Sequence, residues 1–411
     1  MYLKLSVIAA LVAVATAAPS STTVVAPAPS STSASAPSGS STPAPLIPLP
    51  PFSGTLVGAY PPQDQTAPTD TPLVKQWLAE LNLTNIATWP VVPFTAAGDP
   101  KNPSAIPAAS CDWTETNCIN KDLTTCPLGV WGLTYDDGPT TFSGKLYDFL
   151  DTTDQKATLF YIGSNVVQNP ALARRACGAG HQIAVHTWSH NPSTSLTNEQ
   201  FVAEVKYTEM AIKELCGFTP RYFRPPYGDI DDRIRGLLWA MGYTSVIWDL
   251  DTNDWMMAPG GTRTMAQVDA AFAQWIAAAP TDKTGHMVLE HELYANTVDA
   301  AIANLPKVQA TWKAMPVSAC MNDPHPYQEK NITLATMDGA KTGVTNGNTT
   351  TSSSTTAGGS TATGSAGTST ASGNASHSTT GSGAVSNMVV SSSVTVLAAA
   401  AAAVALGQML F

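Results

Sequence analysis

From Leu128 onward the chain alternates short apolar or β-branched runs with amphipathic stretches. The runs that read as strands are Val130–Tyr135, Thr158–Ile162, Gln182–His186, Arg221–Arg224, Thr244–Trp248 and Met287–Leu289. Helical stretches lie between them, the clearest at 197–216. There Thr197 and Gln200 form a capping box, Phe201, Val205, Thr208, Ile212 and Leu215 share one face, and Gly217 stops the helix. Such alternation predicts a parallel α/β fold. Polar clusters follow the strands: Asp136-Asp137, His186 to His190, Arg224 to Gly228, Asp249 to Trp255 and Glu290 to Glu292. In a (β/α) barrel every strand ends on the same face, so clusters far apart in sequence converge there. An open sheet would gather only those near its switch point. The pattern therefore predicts a barrel.

The two ends of the 411-residue chain read differently from this middle. Residues 1–18 have the form of a secretory signal peptide, with Lys4 ahead of an apolar run and small residues at 15–18. A Pro/Ser-rich low-complexity segment follows at 19–50, then an N-terminal extension at 51–125 with a helix expected over Pro72–Leu81. The barrel is expected over 126–325. Residues 338–383 are dominated by Ser, Thr, Gly and Ala, a composition that cannot build a core and reads as a stalk. Gly381, Ser382 and Gly383, a short spacer and an uncharged apolar tail then have the order of a glycosylphosphatidylinositol (GPI) signal, so 384–411 is expected to be removed. Asn82, Asn331, Asn348 and Asn374 head glycosylation sequons.

Six cysteines in a secreted chain imply three disulfides, and no CxxC pair is present to hold zinc. In a closed barrel the first and last elements are neighbours, which nominates Cys126 with Cys320. The net charge of −10, without basic runs, speaks against nucleic acid as a partner.

Each polar cluster offers a chemistry. Asp136 and Asp137, followed by Gly138-Pro139, are adjacent carboxylates at a strand end and can take different tasks. His186 and His190, four residues apart, share a face if the segment coils helically. With Asp137 they make two nitrogens and one oxygen, the three-ligand set that leaves a metal open to water and substrate. Arg224-Pro-Pro-Tyr-Gly228 is a stiff bend that can hold the Tyr227 main-chain N–H toward a developing oxyanion. The stretch Trp248 to Trp255 mixes acids with aromatics, and His291 lies just past an apolar strand as a candidate proton donor.

These five segments, in this order, resemble the five motifs of the polysaccharide deacetylases of carbohydrate esterase family four, over about residues 126–320. The resemblance implies a distorted (β/α) barrel and a divalent metal, zinc or alternatively cobalt, held by Asp137, His186 and His190. It also implies Asp136 as general base, His291 as general acid, Asp254 paired with His291, and Arg224 orienting Asp136. Tyr227 would supply the oxyanion N–H, and Trp255 and Leu289 would line the acetyl pocket. Tyr135 stands where the family most often has Phe, and Asp249 and Asp251 leave the acid that pairs with His291 open. The family acts on chitin, peptidoglycan or acetylxylan. An anchored, stalked and glycosylated chain suits a fungal wall, so chitin or its oligosaccharides is the expected substrate, at the cell surface. A wall adhesin on the same fold would have lost a ligand, the base or the acid, and all are present.

Overall fold

In the computed structural model, which describes residues 47–95 and 106–337, the strands pair in parallel throughout. In chain order they are β1 (Val130–Gly132), β2 (Thr134–Gly138), β3 (Thr158–Tyr161), β4 (Gln182–Val185) and β5 (Tyr222–Phe223). Then come β6 (Thr244–Ser245), β7 (Leu250–Asp251), β8 (His286–Leu289) and β9 (Lys313–Met315). They form one sheet of order β2-β3-β4-β5-β6 and a second of order β7-β8-β1-β9. The two sheets are joined by hydrogen bonds on one side and by the chain itself on the other. On one side Asp136 N–H donates to Glu290 O (2.9 Å) and Glu292 N–H to Asp136 O (3.1 Å), stitching β2 to the end of β8. On the other, Ile247 N–H reaches Leu123 O (2.8 Å) and Asp249 N–H reaches Met287 O (3.1 Å), carrying β6 into β7. The result is the distorted α/β barrel expected.

Both faces of the strands are buried, which is why they read as nearly continuous apolar runs. Leu159, Tyr161, Ile183 and Val185 pack outward in the cluster that also contains Leu146, Leu150, Ile212 and Leu215 of the surrounding helices. Their neighbours Phe160 and Ala184, with Tyr222, Val246 and Met287, form the second cluster. The expected strand Val130–Tyr135 is split at Leu133, where the pairing partner changes: its N–H still donates to Met315 O of β9 (2.9 Å), while its carbonyl accepts from Thr158 N–H of β3 (3.0 Å). The two-residue β7 and the three-residue β9 were not anticipated.

The helix Asn198–Cys216 has the capping box of Thr197 and Gln200, and Gly217 closes it in the left-handed region at φ 82°. Thr71 caps the helix Pro72–Glu80 in the extension. Ile47 is fully buried in the main core, so the packed chain reaches into the Pro/Ser-rich segment. Disulfides join Cys126 to Cys320, Cys111 to Cys118 and Cys177 to Cys216. Asn82 and Asn331 are exposed. The signal peptide, Asn348, Asn374, the stalk and the anchor signal with Gly381, Ser382 and Gly383 lie outside the described residues. No helix of the described residues is long and apolar enough to cross a membrane.

Candidate active site

The two aspartates sit inside the last turn of β2 rather than after it. Asp137 is left-handed at φ 69°, and the β2–β3 register shifts between Asp136 and Gly138. That shift is the signature of a bulge, which re-aims side chains that would otherwise alternate across the sheet. Both carboxylates are consequently buried within reach of the same histidine: His186 Nε2 lies 3.4 Å from Asp137 Oδ1 and 3.8 Å from Asp136 Oδ2. The tight bend leaves no room for a side chain at position 138, where a Cβ would fall 1.9 Å from Glu292 Oε1.

The segment between His186 and His190 is not the helical coil the spacing suggested. Thr187 and His190 are left-handed, at φ 63° and 57°, and the loop's N–H groups bond elsewhere. Trp188 and Ser189 both donate to Glu204 Oε2 at 2.8 Å, and His190 donates to Thr187 Oγ1 at 3.0 Å. The two imidazoles still meet, with ring centroids 4.9 Å apart.

Asp137, His186 and His190 offer ligand atoms that all lie within 4.8 Å of one another. Two further observations suit this trio to a cation. His186 Nδ1 is 2.7 Å from Arg224 O, and a carbonyl only accepts, so Nδ1 carries a proton and Nε2 is the nitrogen presented to Asp137. Asp137 Oδ1, with His186 Nε2 at 3.4 Å and His190 Nε2 at 3.2 Å, is buried without a hydrogen bond. Burial works to raise the Asp137 carboxyl, but His190 and His186 outweigh it and hold it well below the usual range. Burial also pulls His190 down to about 4, against the attraction of Asp137, which keeps that ring neutral. One carboxylate oxygen and two imidazole nitrogens around one point are the donor set a borderline metal such as zinc takes.

Beside the trio, Arg224 is wholly buried; its Nη1 donates to Asp136 Oδ1 (2.8 Å) and Thr134 Oγ1 (2.6 Å). Its guanidinium lies over the Phe160 ring at 4.2 Å. Across the site, Asp254 accepts from His291 twice: Nδ1 at 2.6 Å and the main-chain N–H at 2.9 Å. Burial alone would lower the His291 pKa, but Asp254 pushes it up to about 10, so the ring holds both protons at neutral pH. The open choice among acids is thereby resolved. Asp249 is engaged with His286 Nδ1 (2.7 Å), and Asp251 accepts from Asn253 N–H (2.7 Å).

Tyr227 occupies the left-handed region at φ 60° in the bend after Arg224, and its half-exposed ring lies 4.8 Å from that of His190. Trp255 is 46% exposed, whereas Leu289 is buried. The structure adds Thr134, which helps hold Arg224, and Glu204, which organises the ligand loop. Glu204 carried a legible signal: an acid three residues after Phe201 and four before Thr208, on the buried face of its helix.

Residues 125–246 match the family model for polysaccharide deacetylase. Among curated proteins, the chain is 40% identical to chitin deacetylase 1 of Cryptococcus neoformans var. grubii, over 67% of this chain and 61% of that one. It is 44% identical to a chitin deacetylase of Amylomyces rouxii, over 57% of this chain and 58% of the relative. It is 33% identical to chitin deacetylase 1 of Saccharomyces cerevisiae, over 55% of this chain and 77% of the yeast protein. The chain thus spans less than two thirds of the first two relatives.

Proposed function

The chain belongs to the polysaccharide deacetylase family, and on that footing we propose that it hydrolyses the N-acetyl groups of N-acetylglucosamine residues in chitin, giving chitosan and acetate. The observation that carries the reading is the joint presence of the Asp137–His186–His190 trio, an Arg224-held Asp136 and an Asp254-backed His291 on one ring of strands. The preference for chitin draws on relatives named as chitin deacetylases.

An amide resists hydrolysis because its carbonyl is a weak electrophile and an amide anion a poor leaving group. A divalent cation held by Asp137, His186 and His190, zinc or cobalt, supplies Lewis-acid polarisation and lowers the pKa of water. Asp136, fixed by Arg224, takes a proton from the attacking water as its oxygen adds to the acetyl carbon. The Tyr227 main-chain N–H is assigned to the developing oxyanion. His291 gives its Nε2 proton to the glucosamine nitrogen as the C–N bond breaks, leaving acetate and a free amine. Trp255 and Leu289 are assigned to the walls around the acetyl methyl.

The proposed setting is the extracellular face of a walled cell. Three disulfides suit an oxidising compartment. Glycolipid attachment near 381–383 rests on the order of small residues, spacer and apolar tail. Acetate release measured side by side on chitin oligomers, acetylxylan and peptidoglycan tests the activity. Preference for either of the latter two overturns the substrate, and release from none of them leaves the adhesin reading.

A further inference from the structure

The extension ahead of the barrel is tied to the loop that carries the two histidines. The Tyr60 ring is parallel to Trp188, with centroids 5.9 Å apart, and Pro62 O accepts from Trp188 Nε1 (3.1 Å). Thr66 Oγ1 accepts from Asn191 Nδ2 (2.9 Å), and Ala67 N–H donates to Glu204 Oε1 (2.8 Å). Glu204 is wholly buried in the helix Asn198–Cys216 and completes the link. Its Oε1 also accepts from Ser189 Oγ (2.9 Å), while Oε2 takes the N–H groups of Trp188 and Ser189. One carboxylate therefore receives donors from the extension and from the loop at once.

The two histidines differ in what holds them. His186 has its own ring anchor in Arg224 O. His190 follows its backbone, set by its N–H to Thr187 Oγ1 and by the adjoining Ser189 bound to Glu204. A left-handed, irregular loop has no ladder of its own to fix it.

We propose that Glu204 is a positioning residue of the metal centre and that, together with residues 60–67 of the extension, it straps the loop and holds His190 in register with Asp137 and His186. This rests on the reading of those three residues as the metal ligands. The extension is then part of the centre's support, and a group that orients a ligand without touching the ion is expected to matter to affinity.

Glu204→Gln alters the side of the link that faces Ala67 and Ser189 Oγ, where the hydroxyl must turn from donor to acceptor. Its amide oxygen can still accept from Trp188 and Ser189, but its NH2 then meets the Ala67 N–H, donor against donor. The variant is expected to bind zinc about 10- to 100-fold more weakly in a chelator competition. The visible spectrum of its cobalt-loaded form should also change, a readout that a loss of general stability would not move. His186→Ala, measured in parallel, tests the ligand reading itself. Parent-like zinc binding by His186→Ala would overturn that reading. Loss of zinc in His186→Ala with a parent-like affinity and cobalt spectrum in Glu204→Gln overturns the strap alone. If Glu204→Gln does not fold, the pair Trp188→Phe and Asn191→Ala removes two bonds to the extension while keeping Glu204 and a ring on Tyr60. That double variant is expected to lose about tenfold in zinc affinity, and no change in it overturns the proposal.

Discussion

Asp254 grips His291 at two points, one oxygen on the ring Nδ1 at 2.6 Å and the other on the same residue's main-chain N–H at 2.9 Å. A carboxylate bound this way fixes the ring's rotation as well as its charge, which leaves Nε2 with a directed proton. In the metal-free protein the His291 resonances should therefore titrate near 10. Because this pKa is raised, the protonated form is complete at low pH and is lost as pH climbs through the folded value. Asp254→Asn should move the midpoint downward in an NMR titration, and the alkaline limb of kcat/KM should move down with it. An unmoved midpoint would show that the pairing does not set the charge.

The base and the metal ligands should separate cleanly by substitution. Asp136→Asn is expected to reduce kcat about 10²- to 10⁴-fold, the range for loss of a general base, while bound metal stays near one per chain. His186→Ala should lose metal and activity together. Metal analysis by plasma emission beside acetate release distinguishes the two, and substantial turnover in Asp136→Asn would remove it from the role of base.

His286 gives a pH dependence of stability away from the site. It is bracketed by Asp249 at 2.7 Å on Nδ1 and Asp282 at 3.0 Å on Nε2, and Asp249 foremost raises its pKa. A raised histidine stabilises fully below its unfolded pKa and loses that contribution as pH rises through the folded value. His286→Gln should accordingly lower Tm more at pH 6 than at pH 9. Equal losses at the two pH values would contradict the charged bracket.

Cys126 and Cys320 lie 194 residues apart in the chain, so their bond closes a loop of nearly the whole barrel. In the chain-entropy account a loop of that length contributes about 5 kcal/mol. The double variant Cys126→Ser with Cys320→Ser is expected to lose stability of that order in denaturant unfolding. A loss below about 1 kcal/mol would mean that the unfolded chain gains little freedom from its removal.

The architecture was legible where burial imposed a pattern. Strands covered on both faces, such as β3 and β4, read as apolar runs and lie where the runs predicted. The misses share a cause. β7 and β9 are too short to show a period and exist through pairing with β8 and β1. The His186–His190 spacing suggested a helical turn, but long-range bonds from Glu204 to Trp188 and Ser189 favour a left-handed loop. Of the three acids near His291, the family resemblance points to Asp254, with Asp249 and Asp251 as competitors that sequence alone does not eliminate. Only the fold gives Asp249 to His286 and leaves Asp254 for His291.

The seam where β2 meets the end of β8 passes through Asp136 itself, which exchanges main-chain bonds with Glu290 and Glu292 on either side of His291. The spacing between these two residues is therefore a rung of a ladder, as stiff as the barrel wall. Opening the wall at this one joint would separate Asp136 from His291. Slow amide exchange at Asp136 and Glu292 would therefore report readiness for proton transfer more directly than the melting of the whole domain.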